Sequence, residues 1–187
     1  CRCDLPLLCR TKENLFRGLH ESLMRMKTDY MDVMQLHGYF SGPSVEQVRQ
    51  ETLVEALQEM RQQGKVRWIG FSTGLPDLPT YLQWGVFDEF MIPYSALERE
   101  HEGYISRAAE AGIETVIRGG VAQGEPGTGL GGAGKWQKFD EAKLDELRQE
   151  GENRTAFILR FTLTHAQVHT TVVATPRPEH LYENLVT

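Results

Sequence analysis

A period-2 apolar run climbs from Tyr30 and ends in His37 followed by Gly38. That alternation predicts a strand, and a strand finishing on a titratable residue places it at the rim of a sheet. In parallel α/β proteins the carboxyl ends of strands are where ligands bind. His37 is therefore the first candidate for chemistry. The segment before it has a helical period: Thr11 can cap a helix with the stripe Leu15, Leu19, Leu23 and Met26.

The rest of the chain repeats the same alternation. Ser44-Val-Glu-Gln47 fits a capping box, Leu53, Ala56, Leu57 and Met60 line one helical face, and Gly64 stops that helix. A second strand runs from Val66 to Ser72 and again ends on a hydroxyl. A helix over Leu78 to Trp84, a strand over Phe87 to Pro93, a helix over His101 to Ala111 and a strand over Glu114 to Arg118 follow. The glycine-dense stretch from Gly119 to Gly134 reads as a long loop. Helices are expected near Asp140 to Glu150 and Asn153 to His165, then a strand from Thr170 to Ala174 and a helix opening at Pro178. Trp68 and Phe71 read as core residues of their strand.

Strand and helix alternate about five times, which implies a parallel sheet with helical crossovers. A full (β/α)8 barrel takes about 250 residues. The 187 residues here hold about five of its eight units. The fold class is therefore α/β, an incomplete (β/α)8 TIM barrel, with residues 1–187 forming one partial-barrel domain. An open doubly wound sheet is disfavoured, because no Gly-x-Gly-x-x-Gly turn follows the first strand.

Composition changes this picture little. With 40% hydrophobic and 25% charged residues the chain is of the globular kind, and a formal charge of −6 gives no general basic footprint for nucleic acid. No apolar run reaches the roughly 18 residues of a spanning helix. No signal-like segment precedes Cys1, so either an upstream segment was removed or the chain is a fragment. Cys1, Cys3 and Cys9 match no disulfide framework and no standard zinc spacing. A metal cluster or a lipidated terminus is the sharper reading of these thiols; a reduced, cytoplasmic terminus is the simpler one.

Four motifs in order carry a resemblance. They are Ser22-Leu-Met-Arg-Met-Lys-Thr-Asp-Tyr-Met-Asp-Val-Met-Gln-Leu-His37, Glu55-Ala-Leu-Gln-Glu-Met-Arg-Gln-Gln-Gly-Lys-Val-Arg-Trp-Ile-Gly-Phe-Ser72, Ile92-Pro-Tyr-Ser95 and Pro178-Glu-His-Leu-Tyr-Glu-Asn184. The chain resembles the last five β/α units of the aldo-keto reductase family. That resemblance implies an NADPH-dependent reduction of aldehydes or ketones, with a small carbonyl compound as substrate. Of the family's catalytic aspartate, tyrosine, lysine and histidine, only the histidine has a match, at His37. Weak or absent activity of the isolated chain follows, since a positioned acid contributes about 10² to 10⁴ in rate.

By the same resemblance Ser72 would hold the nicotinamide carboxamide. Thr73 replaces an asparagine beside it, and Met91 replaces a glutamine on the next strand. Arg118 stands where an aromatic often stacks, and Gly119, Gly120 and Gly124 would let backbone N–H groups approach the pyrophosphate. Thr175 and Arg177 match the adenosine 2′-phosphate region, and Glu183 and Asn184 the adenine contacts. Without the family, His37 is an ordinary strand-end histidine, Arg177 a solvated charge, and Glu183 and Asn184 surface residues. A non-catalytic half-barrel, with or without nucleotide, is the alternative function. Because five strands leave two open edges, a homodimer or higher oligomer covering them is expected.

Overall fold

The structure, a computed structural model, describes residues 11–37, 44–175 and 177–187. Cys1, Cys3 and Cys9, with the metal and lipid readings attached to them, lie outside the described residues, as do Gly38 and Tyr39. The chain divides into two compact units, Cys1–Met91 with Glu110–Glu114, and Ile92–Ala109 with Thr115–Thr187. Among the described residues the five strands follow the order β1-β2-β3-β4-β5 in one sheet, an incomplete TIM barrel of β/α units.

In the first unit, Thr11 caps α1 (Lys12–Met26), its Oγ1 accepting the Asn14 N–H at 3.3 Å. The expected stripe buries Leu15, Leu19 and Leu23, but Met26 is exposed because the helix ends there, at a left-handed Lys27. β1 (Met31–His37) follows. Ser44 and Gln47 form the capping box of α2 (Val45–Gln50), with bonds of 3.2 and 3.0 Å. The helix expected to run on to Gly64 is broken at Thr52 (φ 50°), and α3 covers Leu53–Gln62. On one continuous helix Val48 and Leu53 would point about 140° apart. The break rephases the chain so that both are buried.

β2 (Val66–Ser72) and α4 (Leu78–Trp84) keep their expected bounds. β3 (Glu89–Pro93) begins two residues later than its apolar pattern suggests. Asp88 is taken up instead as a side-chain acceptor: its Oδ2 accepts the Ile69 N–H at 2.8 Å and the Arg61 guanidinium at 2.9 Å. β1, β2 and β3 are parallel, and Leu36, Phe71 and Phe90 are buried on one face. There Phe71 meets Tyr81 of α4 at 4.2 Å and Phe87 at 5.4 Å. The opposite face is less covered. Val33 is 40% and Trp68 49% exposed, so Trp68 is not the core residue its strand pattern suggested.

The second unit contains α5 (Glu102–Glu110) and β4 (Glu114–Arg118), apart from the junction 110–114. α6 (Ala133–Glu141), a 3₁₀ turn at Leu144–Leu147, α7 (Arg154–Leu163), β5 (Thr170–Val172) and α8 (Pro178–Val186) follow. The helix expected over Asp140 to Glu150 is not formed. Trp136 and Phe139 pack with Leu97, Ala122, Phe157 and Ile158, which draws the helix back to Ala133, and a left-handed Lys143 ends it. Arg154 then bonds Asp140 (2.8 Å), Asp145 and Glu125 (3.4 Å) while lying over the Phe139 ring at 4.7 Å. That fixes the glycine-rich segment to the start of α7. Among the described residues no helix is long and apolar enough to cross a membrane.

Candidate functional site

In the first unit, strand register brings three of the expected residues together. His37 of β1 is the partner of Ser72 of β2, and Ser72 is the partner of Met91 of β3. Partners in register present their side chains on the same face. The ladder runs one step further, with the Thr73 N–H donating to the Met91 carbonyl at 3.0 Å. His37 is exposed, Met91 half-buried, and Ser72 and Thr73 are buried.

Ser72 is the most telling of the four. Its Oγ is shut off from solvent and hydrogen-bonds no described residue, although only 1% of the residue is exposed. A buried hydroxyl without a partner is costly, by about 1–3 kcal/mol, and such groups call for an explanation. An amide-bearing ligand at the strand ends would supply the missing bond. Met91 offers a thioether beside it and no amide.

Two residues below lies a second row on the same face: Gln35, Gly70 and Glu89. Glu89 is 5% exposed, and its Oε2 accepts the Gln35 Nε2–H at 2.7 Å. Its Oε1 is buried with no hydrogen-bond partner. A Cβ at Gly70 would fall 2.1 Å from Glu89 Oε2, so the carboxyl group fits because this position lacks a side chain. Burial pushes the Glu89 carboxyl up to about 7, against the opposing pull of the Gln35 hydrogen bond. Sequence reasoning passed over Glu89. An acidic residue inside the run Phe87-Asp-Glu-Phe-Met-Ile-Pro93 was the available signal.

In the second unit, Arg118 ends β4, paired in register with Val172 of β5, and its carbonyl accepts the Tyr94 N–H at 3.3 Å. His101, also buried, is held below the usual imidazole range chiefly by burial, with Glu98 and Glu100 opposing and the Arg118 charge reinforcing the shift. Gly119 has a positive φ of 76°. At Gly120 a Cβ would meet Thr171 Oγ1 at 2.5 Å, and its carbonyl accepts the Thr162 hydroxyl at 3.2 Å. Packing alone therefore accounts for glycine there. The Gly124 N–H donates to the Val121 carbonyl at 2.8 Å, so that donor is committed to the loop.

The remaining candidates cluster at α8. Thr175 Oγ1 accepts the Arg177 N–H at 3.1 Å, which shapes the entry to the helix, and it approaches His180 Nδ1 at 3.5 Å. Arg177 and Glu183 are exposed and Asn184 is half-buried. No residue of α8 is buried.

Comparison with known proteins gives one answer. The family model for the aldo/keto reductase family matches residues 8–186. An uncharacterized oxidoreductase of Bacillus subtilis, YqkF, is 33% identical over 115 residues, which is 61% of this chain and 36% of that protein. L-galactose dehydrogenase of Arabidopsis thaliana is 26% identical over 92% of this chain and 57% of its own length. Among solved structures, the holo form of aldo-keto reductase AKR11C1 from Bacillus halodurans superimposes with a TM-score of 0.76 at 26% identity. That match covers 95% of this chain and 62% of the Bacillus halodurans protein. The chain thus spans less than two thirds of each of these relatives. The register-matched strand ends and the matches along nearly the whole chain agree: this chain belongs to the aldo/keto reductase family.

Proposed function

We propose that this chain carries the cofactor-binding side of an NADPH-dependent reductase of aldehydes or ketones. The observation that carries the reading is the buried, partnerless Ser72 Oγ at the end of β2, in register between His37 and Met91. Family membership supports it, since the relatives named above include oxidoreductases. An aldo/keto reductase from Klebsiella pneumoniae, 22% identical and alike in fold with a TM-score of 0.69, was solved with NADP and acetate.

In this reading the cofactor supplies the hydride. Ser72 orients the nicotinamide carboxamide, and Thr73 and Met91 flank it. His37, exposed at the rim, hydrogen-bonds the carbonyl oxygen of a small substrate. By the family resemblance Arg118, Gly119 and Gly120 would serve the pyrophosphate, Thr175 and Arg177 the 2′-phosphate, and Glu183 and Asn184 the adenine. A forked guanidinium suits a phosphate group. On its own the chain is a poor catalyst, because no tyrosine and lysine stand at the family's positions. We place it in the cytoplasm. The exposed Val33 and Trp68 favour association of two copies over this sheet face, which a monomeric mass by light scattering at micromolar concentration would contradict.

The test is a titration with NADPH, followed by quenching of emission from Trp68, Trp84 and Trp136, with NADH as control. Saturable binding that prefers NADPH is expected. No binding up to millimolar cofactor would favour the non-catalytic half-barrel.

A further inference from the structure

Glu89 has no part in the site as described so far, yet its surroundings are built around it. The carboxyl group occupies the space left by Gly70, one oxygen takes the Gln35 amide proton, and the other is buried with no partner. By register this row lies two residues below His37, Ser72 and Met91 on the same face. Two residues along a strand span about 6.6 Å. We propose that Glu89 is a proton-holding residue beneath the nicotinamide position, and that its charge state selects between the oxidised and the reduced cofactor.

The inference rests on the cofactor reading above and deepens it. The nicotinamide ring is cationic in NADP⁺ and neutral in NADPH. A carboxylate at this depth attracts the cationic ring and leaves the neutral one nearly unaffected; a neutral carboxyl group distinguishes them little. Burial holds Glu89 neutral until about pH 7, so the switch falls in the physiological range. NADP⁺ bound to the neutral form drives the carboxyl proton off to solvent, and NADPH does not.

Asp88, next to Glu89 in sequence, is paired with Arg61 at 2.9 Å. His37 of β1 lies two residues above in register, and Glu114 at the start of β4 is exposed, its N–H bonded to the Asp88 carbonyl at 3.0 Å. His37 is the other titratable side chain on this face of the three strands, so the test has to separate it from Glu89. The 2′-phosphate is common to both cofactor forms and cancels in their ratio.

The experiment measures dissociation constants for NADP⁺ and NADPH between about pH 6 and 8.5 in the native chain, Glu89→Gln and His37→Gln. In the native chain and in His37→Gln, the preference for NADP⁺ should rise about tenfold across this range, as expected for one charge pair in a partly screened site. In Glu89→Gln the ratio should stay flat. A slope that survives in Glu89→Gln and vanishes in His37→Gln would overturn the assignment. If the glutamine variant fails to fold, the ¹³C shift of the Glu89 carboxyl in native protein decides. By reciprocity its titration midpoint should fall by about one unit with saturating NADP⁺ relative to NADPH, and equal midpoints would overturn the proposal. Binding of both cofactors with a pH-independent ratio would sink this inference alone; binding of neither would sink the cofactor reading with it.

Discussion

In the first unit His37, Ser72 and Met91 stand side by side in register on three hydrogen-bonded strands, with Ser72 sealed from solvent. In the second unit Arg177 and Glu183 are exposed at a helix that buries none of its residues. The first set is positioned by sheet register, which a single substitution does not shift without disturbing the whole pairing. The second is positioned by one turn at Thr175 and the helix after it. Polar groups buried without partners occur in the first set, at Ser72 and at Glu89 beneath it, and they cost stability that only a ligand or a proton recovers. The nicotinamide end should therefore be preorganised and tied to folding, and the adenine end should contribute affinity independently of it.

Substitutions sharpen this contrast. Phe71 is fully buried behind Ser72, and Phe71→Ala should cost about 3–5 kcal/mol in urea unfolding. Tyr182, 70% exposed on α8, should change stability by less than about 0.5 kcal/mol when truncated to alanine. Similar losses at both positions would break the comparison.

Glu89→Gln tests the buried row through pH. The carboxyl group is raised from 4.5 to about 7 in the folded chain. Below pH 4.5 it is protonated whether folded or not, and it weakens nothing. Between these values the folded state alone keeps the proton, so stability falls as pH rises, and above pH 7 the loss is complete. Relative to the native chain, the glutamine variant should gain about 3 kcal/mol across this window, measured by unfolding at pH 4 and pH 8. A pH-independent difference would mean that the carboxyl group is solvated.

Ser72→Ala should move stability and binding in opposite directions. Removing a hydroxyl with no partner should stabilise the chain by about 1 kcal/mol and weaken NADPH about tenfold. Arg177→Ala should leave thermal stability unchanged and weaken NADPH about fivefold, with NADH binding unaffected. If Arg177→Ala destabilises the fold, α8 is more than a surface arm.

Much of this architecture was legible because the local signals are chemical. The Thr11 cap, the Ser44–Gln47 box, and the bounds of β1, β2, α4 and β4 all follow from caps and apolar period. The break at Thr52 was hidden, since neither glycine nor proline marks it and helical spacing continues on both sides. α6 was hidden because it opens on Gly132-Ala-Gly134, a poor helix start, and exists because Trp136 and Phe139 are buried. Within the site, the neighbourhood of His37, Ser72 and Met91 follows from parallel register: β1 and β2 end level with each other, and β3 carries Met91 beside Ser72 before running on to Pro93. Glu89 was missed because an acid inside an apolar strand becomes notable only when register shows Gly70 and Gln35 beside it.

The most direct measurement is a crystal structure of this chain grown with NADPH. The account predicts the nicotinamide carboxamide within about 3.2 Å of Ser72 Oγ, filling the bond that the hydroxyl lacks. Cofactor held by its adenine end alone, with Ser72 Oγ left without a ligand contact, would contradict it.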